Sequence, residues 1–504
     1  VKVIRKPSRL QLEHLLFRPV DASSLAVFRV AFGALLIWEV QKYFDNDRIR
    51  RYWLLTEWNF PYEWFPWIRP WPGAGMFIHF LVLAVAAFLV IIGLWYRAAA
   101  AVVFVAFTFV FLSEQAIYLN HYYLIVLISF LMVLVPANAA YSVDALRAGD
   151  IRGTPVPAWS VLVLRFQMGV VYFFGAVAKL NYDWLVLGQP MRGWLRRRAD
   201  FPVLGEYFAI PWVPHLMGVG GLLIDLLAPF LLLVRRARPF MFAALVAFHF
   251  MNDRLFRIGV FPWLGIAAST LFLPPDWPRR VAAEFRRSTA AMLLGVAVSA
   301  AAGLYFHGRF DPVPALIAAL AGAVLVWSFI DAFGRPAERA PPEASSAPPG
   351  PSPRRRRLVA VFLLAWVAYQ TLMPLRHFLI PGDVAWTEEG HRFSWRMKLR
   401  AKSGYTTFYA YHPATGRMLS IKPDTILAQW QQSEMEGDPQ MINEFARFLG
   451  QRLREAGMQG YEIRAISFAS LNYGPPRLLI GWDVDLSAAR YSDFRHNPWI
   501  RGGE

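Results

Sequence analysis

The feature that most constrains this chain is a succession of apolar runs of membrane length. They lie at residues 24–44, 73–95, 98–118, 120–137, 158–180, 211–234, 239–254, 257–274, 289–306, 312–331 and 358–375. Each approaches the ~20 residues a helix needs to cross a hydrocarbon core. In that medium every backbone N–H and C=O must be satisfied inside the segment, so the pattern demands a helical bundle. The spacing predicts an all-α polytopic membrane bundle of about 9–11 transmembrane helices, followed by a small α+β extramembrane domain. With 56% hydrophobic and only 17% charged residues, an ordinary soluble protein is excluded. The 20 tryptophans suit interfacial belts. A net charge of +17 would suggest nucleic acid in a soluble protein. Here much of the arginine sits in short loops between apolar runs, so topology and anionic lipid account for it, and no nucleic-acid partner is expected. The chain has no cysteine, which rules out disulfides, thiolate metal sites and a cysteine nucleophile.

Five regions follow. Residues 1–20, with Lys2, Arg5, Lys6, Arg9 and Arg18, read as a cytoplasmic segment, and the first apolar run is long enough to be a span rather than a cleavable signal. Residues 21–334 form the transmembrane helical domain. Residues 335–357 are a disordered, basic, Pro-rich linker. Residues 358–375 are the last span, and 376–504 the α+β domain. In that domain Arg392 to Arg400 alternates as a strand does, and Tyr405 to Tyr411 with Arg417 to Ile421 reads as a hairpin. Met441 to Ala456 has helical period, and 461–471 and 477–484 read as strands. Arg147, Arg152, Arg235, Arg236, Arg238, Arg279, Arg280, Arg286, Arg287 and Arg354 to Arg357 fall on one side. They favour a cytoplasmic N-terminus and a periplasmic C-terminal domain in a bacterial inner membrane, with Arg192 and Arg196 to Arg198 as the exceptions.

Few polar side chains interrupt the runs. Lys179 closes the fifth. Either its stem lies in lipid while the ammonium reaches the headgroups, or it is desolvated, loses its charge and becomes a general base. Asn120 and His121 open the fourth run, Asp225 lies within the sixth, and His249 and Asn252 close the seventh. With the N-terminus inside, His121, Lys179 and the His249/Asn252 pair share the outer membrane level. An intramembrane polar cluster is a functional-site candidate, with helix-to-helix hydrogen bonding as the plainer alternative. No His-Glu-x-x-His, phosphate loop or nucleophile elbow occurs, so no metal is expected.

Several ordered stretches carry a resemblance. They are Asp21 to Gly33, Asn120-His-Tyr-Tyr-Leu124 with Pro136 to Leu146, and Tyr172 to Trp184. Phe248-His-Phe-Met-Asn252 with Leu255 to Phe261, and Pro275-Asp-Trp-Pro-Arg279, follow, and then, more loosely, Leu375-Arg-His377 and Phe393-Ser-Trp395. Together they resemble the vitamin K-dependent gamma-glutamyl carboxylase family, whose membrane part is the horizontally transferred transmembrane domain, in a bacterial-type form. Residues 289–357 match nothing recognisable in it. The resemblance implies an enzyme that oxidises vitamin K hydroquinone or menaquinol to its epoxide with O2. That reaction drives proton abstraction at the γ-carbon of a protein or peptide glutamate, to which CO2 adds. It also implies a quinone reductase as partner. By the same resemblance Lys179 is the base and His121 its catalytic companion. Asn120, His249 and Asn252 serve the quinol, and Trp395, Arg400 and His377 the glutamate substrate. Arg400 stands where the family has a histidine. This departure keeps open a quinol oxygenase with a changed glutamate reaction, and a non-enzymatic transporter or maturation protein is the remaining alternative. Animal members carry a disulfide that this chain cannot form, and they extend further at the C-terminus, so substrate recognition is expected to differ.

Overall fold

The computed structural model describes residues 9–307, 311–334 and 351–502. The basic positions 2, 5 and 6 and the linker positions 335–350 lie outside the described residues. The bundle comprises α1 (Ser23–Asp45), α2 (Gly75–Ile92), α3 (Tyr96–Leu112), α4 (Asn120–Leu134), α5 (Trp159–Ala178), α6 (Val213–Leu231), α7 (Arg238–Phe256), α8 (Phe261–Ser269), α9 (Trp277–Arg287), α10 (Thr289–His307), α11 (Pro312–Phe333) and α12 (Pro353–Leu375). Among the described residues six helices are long and apolar enough to cross a membrane, or seven if the pair α9 and α10, bent by 117°, is one broken span. The protein is therefore a multi-pass membrane protein. Against the 9–11 expected, three further apolar helices, α3, α4 and α8 with the turn after it, are shorter than that length. The run at 257–274 contains only the nine-residue α8 and a 3-10 turn, and every residue of α8 is buried. A short apolar helix can fill a core as readily as it faces lipid, and composition does not tell the two apart. α12 starts at Pro353, ahead of the expected 358, with the Arg355 N–H donating to Ser352 Oγ at 3.4 Å.

Arginine closes the end of the bundle far from the sheet domain. Arg29, fully buried in α1, donates to the carbonyls of Ala137 (2.9 Å), Ala140 (3.3 Å), Ile91 (3.3 Å) and Tyr141 (2.6 Å). A guanidinium is suited to this, because its fixed fork of donors reaches several orphan carbonyls at once. Gly33 lets α1 and α2 approach. A Cβ there would meet Ile91 Cγ1 at 2.6 Å. Arg165 caps the carbonyls of Leu271 and Leu273 in the same manner (2.5 and 2.6 Å).

The extramembrane domain is a four-stranded antiparallel sheet of order β2-β1-β3-β4, where β1 is Lys402–His412, β2 Arg417–Ile421, β3 Glu462–Leu471 and β4 Arg477–Ile480. Helices α13 (Gln429–Met435) and α14 (Pro439–Glu455) lie between β2 and β3 in the chain. The apolar face of α14, with Met441, Ile442, Phe445 and Leu449, joins Phe408 and Ile463 in one core. The hairpin, the helix and the later strands occur where their periodicity placed them. Residues 392–400 do not form the expected strand. Phe393, Trp395 and Lys398 have φ values of 62°, 56° and 48°, which no strand tolerates.

Glu114 ties this domain to the bundle. Its carboxylate accepts from Asn59 Nδ2 (2.8 Å), the N–H groups of Phe60 (3.3 Å) and Ala116 (2.9 Å), and Gln431 Nε2 of α13 (2.9 Å). Burial pushes its pKa up to about 7 despite these donors. Truncation would orphan four donors, so Glu114→Ala is expected to cost roughly 2–3 kcal/mol and to loosen the domain from the bundle. Thermal unfolding in detergent, with limited proteolysis near residue 380, checks this. A melting curve that matches wild type would refute it.

Candidate active site

Tyr172, Gly175 and Lys179 recur at helical spacing and share one face of α5. A helical side chain leans toward the N-terminus of its helix, which here is back into the bundle. The Lys179 ammonium accordingly donates to Gly175 O, one turn behind it, at 3.0 Å, and to Asp225 Oδ2 of α6 at 2.6 Å. Gly175 packs at ordinary contact distance from the pair. A Cβ there would sit 3.5 Å from Asp225 Oδ2 and 3.4 Å from Met397 Cε. Lys179 is 7% exposed and Asp225 5%, so the lysine does not snorkel to the headgroups. The Trp184 ring lies 5.7 Å from Nζ and is fixed by its own N–H on Gly218 O at 3.0 Å. Taking both charges of such a pair out of water costs several kcal/mol per ion. Each charge is tolerable there only with the other beside it.

Deeper along the same face, the Tyr172 hydroxyl lies 3.1 Å from His249 Nε2 and 3.3 Å from Ser269 Oγ. His249 is fully buried against Gly265, where a Cβ would come within 2.5 Å of the ring. Its Nδ1 is buried without a hydrogen-bond partner. Phe261 stands between the two histidines, 5.7 Å from the His249 ring and 6.3 Å from that of His121. The side chains of His121 and the half-buried Asn252 make no hydrogen bond among the described residues. Next to His121, Tyr122 donates to Glu39 Oε1 at 2.7 Å, and Glu39 lies 3.6 Å from Lys42 and 3.5 Å from Arg48.

The segment 392–400 roofs this site. Its backbone is satisfied by side chains instead of a strand ladder. Phe393 N–H donates to the Tyr118 hydroxyl (2.8 Å), Arg392 O accepts from Arg376 (2.6 Å), and Arg396 O from Asn120 Nδ2 (3.4 Å). Its apolar members point into the bundle. Trp395 is fully buried and stacks on Tyr123 at 5.0 Å, and Met397 reaches Gly175. The alternation was real, but its two sides face two domains, not the two faces of one sheet. His377 Nδ1–H donates to Pro374 O at 2.8 Å, which leaves Nε2 to accept from Arg396 at 3.4 Å.

Above the roof lies a cavity of about 190 Å³, lined in part by Asn120, His391, Arg392, Arg400, Lys402 and Glu434. Arg400 is engaged by the chain's own Glu388 at 2.5 Å, and Lys402 by the same carboxylate at 3.2 Å. Burial, together with Arg400, Arg396, Arg392 and Lys402, holds His391 well below the usual imidazole range, so it is neutral at physiological pH. Burial raises Glu434.

The candidates thus fall into two groups: Lys179, His249 through Tyr172, and His121 across Phe261 on the bundle side of the roof, and Arg400 on the cavity side, with Asn120 reaching both and Asn252 joined to neither by a side-chain hydrogen bond. Trp395 and His377 belong to the roof itself. Asp225 escaped grouping with Lys179 because it lies mid-helix while the lysine closes its own helix. The signal was present, since two isolated opposite charges in spans seek each other. Tyr172 gave no signal, being one more aromatic in an apolar run. Among the described residues no group of three or more His, Asp or Glu is arranged to hold a metal ion.

Such a bundle, with a buried lysine–carboxylate pair under the roof of a docked sheet domain, defines a membrane protein with an enclosed acid–base site. Residues 17–277 match the HTTM domain, and residues 355–503 match the lumenal domain of vitamin K-dependent gamma-carboxylase. The chain belongs to the vitamin K-dependent gamma-carboxylase family. No solved structure matches it. Toward the vitamin K that the family name implies, the polar cluster has apolar, aromatic neighbours. It offers aromatic walls at Phe248, Phe261 and Trp184, and an unpartnered buried imidazole nitrogen on His249.

Removing Lys179 alone strands the Asp225 carboxylate. Lys179→Met is expected to cost about 3–5 kcal/mol, and the double variant Lys179→Met/Asp225→Leu to recover most of it. Thermal unfolding of both checks this. Equal stability of the single and double variants would show that the pair does not hold the two helices.

Proposed function

We propose that this chain is an integral-membrane, naphthoquinol-dependent γ-glutamyl carboxylase/epoxidase. The observation that carries the reading is the Lys179–Asp225 pair at 2.6 Å in a buried site beneath a roof that separates it from a charged cavity. Vitamin K hydroquinone or menaquinol, with O2, supplies a base strong enough for the γ-carbon of glutamate, and CO2 then adds. With the pair's own proton resting on Asp225 Oδ2, Lys179 Nζ would take the quinol's proton and become the ammonium beside a neutral Asp225. His249 and Tyr172 orient one polar edge of the ring, and His121 lies across Phe261 for the other. Trp395 and Met397 keep water out. Asn120, Arg400 and Lys402 face the substrate glutamate from above, with Arg400 released from Glu388 as a substrate carboxylate replaces it. The arginine clusters at 147–152, 235–238, 279–287 and 354–357 gather at the bundle end away from the sheet domain, which supports a cytoplasmic N-terminus and a periplasmic domain. A quinone reductase in the same membrane would regenerate the quinol.

The Arg400–Glu388 pair also favours a second reading, a quinol oxygenase whose glutamate reaction has changed. Reconstitution in nanodiscs with reduced vitamin K or menaquinol, O2, labelled bicarbonate and a glutamyl peptide separates the two. Wild type is expected to form epoxide and labelled peptide together. The folded Lys179→Met/Asp225→Leu variant should lose both by at least ~10²-fold, the smallest typical effect of a general base. Epoxide without label over varied peptides would favour the oxygenase. Neither product from quinol-bound wild type would refute both.

A pH dependence follows from Glu434. Its raised pKa means that it loses its charge earlier than an ordinary carboxylate as pH falls. The cavity then becomes more positive while a substrate glutamate is still ionised. The KM for the peptide is expected to fall as the pH drops from neutrality toward the carboxylate range, and Glu434→Gln should flatten that slope.

A further inference from the structure

A second concavity, of about 610 Å³, opens where the loop between α1 and α2 meets α14 and the segment that follows β4. Arg69, Arg447, Arg454 and Arg490 line it. All four are exposed, and among the described residues none has a carboxylate within ion-pair distance. Arg452, on the same helix, is paired instead with Glu57. The two carboxyl groups in the lining, Glu63 and Glu444, are both raised, burial being the largest cause in each. Four exposed guanidinium groups thus share the groove with two carboxyl groups, Glu63 feeling Arg447 and Arg490 through space without a direct ion pair. Unpaired arginines gathered in one groove keep no neighbour in place, and they are suited to bidentate capture of carboxylates.

Its position gives the groove a meaning. Helix α14 runs through both concavities. Asp438, its N-cap, and Met441 line the cavity beside Arg400, while Glu444, Arg447, Gln451 and Arg454 line the groove. From Met441 to Arg454 the helix rises ~20 Å at 1.5 Å per residue. An extended peptide covers that distance in roughly six residues.

We propose that this groove is an exosite for an acidic segment of the protein substrate, lying about six residues from the glutamate that enters the Arg400 cavity. The inference rests on the proposed carboxylase reading for its substrate class. The exposed Trp64, Trp67 and Trp71 nearby would suit an interfacial location, so an anionic lipid headgroup is the competing occupant. The peptide is favoured because the groove is built largely from the extramembrane domain and shares helix α14 with the cavity.

The test uses the full chain in phosphatidylcholine nanodiscs and two fluorescein-labelled peptides, read by anisotropy. Both carry one target glutamate. One has three glutamates about six residues away, the other three glutamines. Wild type is expected to bind the glutamate-cluster peptide at least ~10-fold more tightly, and added salt should erase the difference. Arg447→Glu/Arg490→Glu should abolish the preference, and Arg447→Lys/Arg490→Lys should keep it. Equal affinity of wild type for both peptides would overturn the proposal. So would a charge-reversed variant that retains the preference, or one that loses only co-flotation with phosphatidylglycerol vesicles. Because binding needs no quinol and no turnover, a protein that selects the acidic peptide yet forms no carboxylated product would sink the catalytic reading and leave the groove standing.

Discussion

The ion pair between Lys179 and Asp225 is the interaction on which the rest of the site depends. Two charges at 2.6 Å inside a bundle are tolerable only together. Their pairing holds α5 against α6, packs beside Gly175, and needs a roof to exclude water. The residues 392–400 supply that roof at the cost of left-handed backbone at Phe393, Trp395 and Lys398. Strain of that kind persists only where surrounding contacts over-determine the backbone. Here they are the Tyr118 hydroxyl, the Arg376 guanidinium, the Asn120 amide and the Tyr123 ring.

The bundle and the sheet domain are therefore one device rather than two modules. The domain contributes the lid of a membrane site, and Glu114 binds the two through donors from three segments. A buried carboxylate whose pKa sits near neutrality is a costly tie. Its use at this junction fits a domain that must stay in register with helices whose own packing is set by lipid and by arginine caps at the far end.

Much of the candidate site was legible in the sequence because a membrane makes polar residues conspicuous. Lys179, His121, Asn120, His249 and Asp225 stand out from apolar neighbours, and each is expensive there without a role. Arg400 was legible as a cation but not as a partner of Glu388, since twelve residues of loop separate them. The strand expected at 392–400 failed for a related reason. Alternation records that successive side chains meet different surroundings, and says nothing about whether those surroundings are two faces of a sheet or two different domains.

What the sequence alone determined was the solvent of each region and the architecture that solvent demands. Long apolar runs must be helices because lipid offers no hydrogen bonds, and the mixed, periodic stretch after residue 380 must find its own core in water. Only the tertiary structure decided which helix lies beside which. That choice brings Asp225 to Lys179, sets Phe261 between two histidines, buries α8 in the core where its length had suggested a span, and leaves four arginines unpaired in one groove. These are contacts between segments far apart in the chain, set by the packing of whole helices, and no local pattern of residues encodes them.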